Sequence, residues 1–258
     1  MLLFFTVVSQ AETIKGVSAE GGCAVVGMTA EQCQLTALQR ARASAIEQAS
    51  GVAVSSSVLV TNMALTAEFI KTYSKGFILN EKVQWLPISQ YQKDSSTPPI
   101  PEYTVRIVAD VHISEPKIKP IGIKAKTNSL IFKSGEKAVI EVSVKREAEI
   151  AIFNITADDR VVMLFPNEYD RDNTVPKNGR LIFPNKNTKT ELIMQMLPGH
   201  KSDAEGFFMV AMDSSHQKKF IELFNPSEPM SFSGFFRKYS EIADYCEDAI
   251  IAYEVVGN

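Results

Sequence analysis

The chain has 258 residues, 45% of them hydrophobic and 22% charged, which suits a globular protein with one large domain or two modest ones. A net charge of −3, with lysine and arginine spread along the chain, lacks the electrostatic signature of nucleic-acid binding or of docking on an anionic membrane. No apolar run approaches the roughly 20 residues of a membrane-crossing helix, so no transmembrane span and no nucleic-acid partner are expected.

Residues 1 to 11, "MLLFFTVVSQA", form a short apolar run ending in small residues at Ser9 and Ala11. The pattern predicts a signal peptide cleaved before Glu12 and export to the periplasm or outer membrane, although no basic residue precedes it. A buried N-terminal strand is the other reading. Of the three cysteines, Cys23 and Cys33 are close enough in sequence to pair in an oxidising compartment, leaving Cys246 single. Three buried thiols is the alternative, and both stay open at this point.

Thr29 followed by Gln32 is a capping-box signature, and Glu31 adds negative charge to a first helical turn. Leu35, Leu38, Ala41, Ala45, Ile46 and Ala49 then share one face at helical spacing, with Thr36, Arg40, Ser44 and Glu47 opposite and Ala43 on the far side. Gly51 stands where a left-handed residue ends a helix. Alanine on the packing face predicts a close approach to a sheet formed partly by the next segment, where Val52, Val54, Val58 and Val60 alternate. Arg42 falls inside the apolar face, which calls for snorkelling or a buried acceptor.

A second helix is predicted around Ala64 to Tyr73, and strands over Gly76 to Tyr91 and Tyr103 to Ile113. The proline-rich "QKDSSTPPIPE" separates them as a loop. Residues 12–115 therefore read as a helix on an antiparallel sheet. The run "ALQRARASAIEQAS", with Ala41-Arg42, Ala45, Ile46 and Ala49, the Val-Ser stretch after it and Ser74-Lys75-Gly76 leading into a strand, resembles the N-terminal domain of flagellar assembly protein T and related bacterial outer-membrane lipoproteins. The resemblance covers about residues 13 to 115, and it implies an envelope location with envelope, secretion or flagellar assembly proteins as partners.

Two prolines, a glycine and alternating charge in Ser114 to Lys124 predict a linker at 116–124. Beyond it, residues 125–258 read as many short strands. Two flank the turn Ser134-Gly135-Glu136, with Ala138, Ile140, Val142 and Val144 to one side, and a hairpin joins Ile150–Ile155 to Val161–Phe165 through Asp158-Asp159. Leu181–Phe183, Glu191–Leu197, Phe207–Met212 and Ile250–Val256 add strands, and "RKYSEIADYCEDA" has helical spacing. The fold class is thus α+β: a helix-on-sheet domain, then a mainly β, sandwich-like domain with a C-terminal helix. Phe153, Asp158-Asp159 and Leu164-Phe165-Pro166-Asn167 resemble a bacterial domain of unknown function found in exported and cell-envelope proteins, over about residues 125 to 225. That likeness implies no catalytic residues.

Neither a nucleophile elbow nor a phosphate-binding loop is present, and His112, His200 and His216 are isolated in sequence. No metal and no cofactor are expected. Glu168, Asp170, Asp172 and Asn173 share one polar loop without the full grammar of a calcium site, and they read as a solvated hairpin loop that can serve as an interaction loop. The expectation is a non-enzymatic periplasmic interaction or assembly module. The alternative is a hydrolase working through carboxylates such as Asp158, Asp159, Asp170 or Asp172.

Overall fold

The computed structural model describes residues 12–51, 72–73, 76–113, 118–188, 190–226 and 228–257. The signal-like segment, the strand expected over Val52 to Val60, most of the helix expected at Ala64 to Tyr73, Ser74-Lys75 and the start of the linker lie outside them. The molecule is α+β and mainly β.

In the first half, strand β1 (Glu12–Ala24) leads into helix α1 (Ala30–Ser50), followed by β2 (Phe77–Trp85), β3 (Ser89–Tyr91) and β4 (Ile100–Ile113). These strands form an antiparallel sheet in the order β1-β4-β2, with β3 paired to β4. The caps of α1 are those the sequence predicts. The Thr29 side chain accepts from the Gln32 backbone while the Gln32 side chain accepts from the Thr29 backbone, and Gly51 closes the helix at φ 67°.

The predicted packing face is rotated. Cys33, Ala37, Ala41 and Ala45 form a fully buried ladder, flanked by Arg42 and Ile46, whereas Leu35 and Leu38 are half-buried. Ala43 is also half-buried and packs on the core, so the far side is not where the helix places it. The close approach is real, but its partner is β1, a strand whose three glycines and missing alternation hid it in the sequence. A Cβ on Gly21 would stand 2.1 Å from the Ala37 carbonyl oxygen and 2.4 Å from the Ala41 nitrogen. Only a glycine lets the helix and strand backbones meet this way.

The second half contains β5 (Lys124–Thr127), β6 (Ile131–Lys133), β7 (Lys137–Ala138), β8 (Ile140–Ser143), β9 (Ala148–Ile155), β10 (Arg160–Phe165), β11 (Thr174–Val175), β12 (Arg180–Phe183), β13 (Leu192–Ile193) and β14 (Ser202–Asp213). Helix α2 (Phe220–Leu223), β15 (Met230–Ser231), helix α3 (Phe232–Tyr239) and β16 (Cys246–Val256) complete it. A seven-stranded sheet runs β15-β10-β9-β14-β16-β6 with β11 on β9, and a three-stranded sheet runs β12-β8-β5. The Ser134-Gly135-Glu136 turn exists, yet the strands around it join different sheets: β6 lies parallel to β16, β7 pairs with β13, and β8 pairs with β5 and β12. The C-terminal helix ends at Tyr239. Cys246 to Ala249, expected to be helical, open the last strand instead.

Both faces of the seven-stranded sheet are buried. On one side Ile150, Ile152, Phe207, Met209 and Tyr253 meet Ile140, Val142 and Phe183 of the smaller sheet. On the other, Phe153, Phe208 and Val210 share one core with α2, α3 and the first half. Burial on two faces explains why β9 and β14 carry unbroken apolar runs rather than alternation. Helix α3 is the seam between the halves. Phe236 lies 5.8 Å from Phe77 and 5.8 Å from Phe208, and Tyr239 lies 5.3 Å from each of the same two rings. The described part of the linker is built into the second half, with Ile121 buried and the Ile121 and Gly122 amides both donating to Glu247.

Candidate functional site

Where the halves meet, one guanidinium answers two carboxylates. Arg42, 3% exposed on α1, donates from Nε and Nη2 to Glu81 of β2 at 2.6 to 3.2 Å. Its Nη1 donates to both carboxylate oxygens of Asp159 in the β9–β10 turn at 2.9 Å. The Phe232 ring lies 5.5 Å from the guanidinium carbon, close enough for a cation–π contact. Burial works against the Arg42 charge, but Tyr73, Asp159 and Glu81 outweigh it and hold its pKa above the ordinary value. One positive charge shared by two negative ones leaves a surplus, and burial leaves the Asp159 carboxyl raised despite the pull of Arg42. Asp159 adopts φ 62°, and its carbonyl accepts the Phe232 amide at 3.1 Å, so this turn also holds the start of α3.

The acidic loop is firmly built. The Asn167 side-chain oxygen accepts from the Tyr169 and Asp170 amides at 2.9 Å, and the Asn167 amide donates to the Asp170 carbonyl at 3.0 Å. Asp172 accepts from the Thr174 amide, and Asn173 is fastened to Ile150 of β9 by its side chain and its carbonyl. Burial, then the adjacent Asp172, pushes the Asp170 carboxyl up. What the loop presents is Tyr169, 73% exposed between Glu168 and Asp170.

Two further polar clusters occupy the start of β14. The Tyr253 hydroxyl, with one proton to give, lies 2.5 Å from a Glu205 carboxylate oxygen and 2.7 Å from the Asn154 side-chain oxygen, and the Asn154 Nδ2 donates to Glu205 at 3.0 Å. Burial raises Glu205 against these hydrogen bonds. Asp203, 1% exposed, holds His200 at 2.5 Å and accepts the Leu197 amide, fixing a turn that meets Gln32 of α1 through the Ser202 carbonyl.

The carboxylates proposed for hydrolysis do not converge. Asp158 is held by Thr156 in the turn before β10, Asp159 is held by Arg42, and Asp170 and Asp172 lie past the other end of that strand, about 15–20 Å of extended chain away. The histidines also stay apart: His112 bonds Thr13, and His216 stacks on Tyr245. Among the described residues no group of three or more His, Cys, Asp or Glu is placed to hold a metal ion. Cys23, Cys33 and Cys246 are free and buried in this structure. Sequence reasoning singled out Arg42 and Asp159 separately. Only an unexplained charge within an apolar helix face hinted that they belong together.

The fold and these clusters define an α+β, mainly β protein whose halves share one core. Residues 131–202 match the family described as a domain of unknown function (DUF4384). That stretch runs from β6 to the first residue of β14 and includes Leu164-Phe165-Pro166-Asn167, within the part of the chain that resembles such a domain. No curated protein matches the chain, and nothing found supports the flagellar resemblance expected over residues 13 to 115. No helix among the described residues is long and apolar enough to cross a membrane.

Proposed function

We propose that this protein is a non-enzymatic interaction or assembly module of the bacterial cell envelope, with partners among envelope, secretion or flagellar assembly proteins. The observation that carries the reading is the acidic loop: a hydrogen-bonded scaffold that holds Tyr169 in solvent beside Glu168, Asp170 and Asp172. Preorganised aromatic side chains supply binding area at low entropic cost, and loops on a rigid sheet are common recognition elements. The clasp of Arg42 and the aromatic seam support it by making the halves one body that can present such a loop. The signal-like start and the envelope resemblances point to the compartment. A hydrolase draws no comparable support, because its candidate carboxylates are separated or already paired.

A photo-crosslinking residue at position 169 tests the reading, with position 221 on the exposed side of α2 as control. Expected is a discrete product from envelope fractions at 169 only, weakened by Asp170→Lys with Asp172→Lys. Equal labelling at both positions, or products from cytosolic fractions alone, would overturn it.

A further inference from the structure

Cys23 near the end of β1 and Cys33 in the first turn of α1 are 4% and 0% exposed, and the Cys33 side chain points at the Cys23 backbone. The Cys33 thiol donates to the Cys23 carbonyl oxygen at 2.9 Å. Standard bond lengths then place the Cys33 sulfur within about 5 Å of the Cys23 Cα. The Cys23 thiol is turned toward the Ala24 carbonyl at 3.6 Å and the Met28 sulfur at 3.8 Å. Rotation of that side chain toward Cys33 is the adjustment a bond asks for. Cys246 sits in the other half, opposite Met212 on β14, and takes no part.

We propose that Cys23 and Cys33 form a redox pair, which closes into a disulfide joining β1 to α1 when the chain folds in the presence of a disulfide oxidant. The Cys23 thiolate attacks one sulfur of the oxidant, releasing a thiolate and leaving a mixed disulfide. Deprotonated Cys33 then attacks the Cys23 sulfur, forming the internal bond and expelling the second oxidant thiol. The two cysteines lose two protons and two electrons, and the oxidant disulfide is reduced to two thiols.

The same geometry decides when this happens. Burial, followed by the neighbouring Cys23 thiol, pushes the Cys33 thiol up to about 12, so in the folded protein it is almost never the reactive thiolate. Both thiols are buried once α1 is packed on β1. The bond therefore forms during folding and is afterwards shielded from reductants by the same contact. Its occurrence in the cell rests on the proposed export; its formation by the isolated chain does not.

The test takes the reduced full chain in two arms with oxidised glutathione: one kept folded, the other unfolded and refolded. Thiols are counted by maleimide labelling and mass spectrometry. Expected in the refolded arm is loss of two of the three thiols with a linked Cys23–Cys33 peptide, and at least about tenfold slower reaction in the folded arm. Cys33→Ala, which extends the alanine ladder, should instead trap glutathione on Cys23. A refolded chain of native circular dichroism that keeps all three thiols, or one that links Cys246, would overturn the proposal. Should the pair close in vitro while protein taken from cells stays reduced and cytosolic, the pair stands and the export reading fails.

Discussion

The contact between α1 and β1 and the seam around α3 bury apolar surface by opposite means. At the first, Gly21 meets Ala37 and Ala41, and backbone approaches backbone. At the second, Phe77, Phe208, Phe235, Phe236 and Tyr239 fill the space with neighbouring rings 4.9 to 6.2 Å apart. A small-residue contact has no room for added atoms, whereas an aromatic seam cannot lose them without leaving a cavity. The first is thus broken by enlargement and the second by truncation.

The largest effect should come from the seam. Phe236→Ala removes a fully buried ring that touches both halves, and a loss of about 3–5 kcal/mol is expected. Trp85 is the sole tryptophan and lies in the first half, so denaturant unfolding followed by its fluorescence and by far-ultraviolet circular dichroism separates the regions. Coincident shifts are expected; a shift in circular dichroism alone would mean that the halves do not share their core energetically.

Arg42→Met comes next, at about 3–5 kcal/mol, because it strands Glu81 and Asp159 in a buried site without their cation. The triple change with Glu81→Gln and Asp159→Asn should recover a good part of that loss in a thermal melt. No recovery would show that the clasp acts through packing alone.

At the small-residue contact, Gly21→Ala and Ala45→Leu should each cost about 1–3 kcal/mol, and Gly21→Ala stands at or above the top of that range because its new atom meets backbone. Ala43→Leu, on half-buried ground, should cost less than Ala45→Leu in the same melts. Equal costs would place the packing face wrongly.

The smallest expected effect depends on pH. Burial, then Glu247, raises Asp248 from 3.8 to about 6. The folded state therefore holds this proton more tightly than the unfolded chain, and stability falls as pH rises from about 4 to about 6, with the penalty persisting above. Asp248→Asn should stabilise by about 1–2 kcal/mol near neutral pH and by almost nothing below about pH 4. A gain of the same size at both ends of the range would exclude titration as its cause.

Local rules were legible wherever the physics is local. The capping box at Thr29 and Gln32, the left-handed stop at Gly51 and the β9–β10 hairpin involve neighbours a few residues apart, and the sequence displays them. The buried side of Ala138, Ile140, Val142 and Val144 followed from period-two alternation. The acidic loop was legible as a loop, but its Asn167 scaffold and the projection of Tyr169 were not, since both depend on where β9 and β10 leave the chain. The C-terminal helix was drawn too far because Cys246 to Ala249 keep helical spacing, while pairing with β14 claims them for a strand.

By itself the sequence determined the helix, its ends, most of the strands and the α+β class, because caps, turns and periodicity are set by near neighbours. Tertiary structure alone decided which face of α1 is buried, which sheets β6, β7 and β8 join, and what Arg42 holds. Arg42 and Asp159 are 117 positions apart, and nothing local to either reports the other. An ion pair across that separation exists only after two halves have docked and excluded the water that would otherwise solvate both charges.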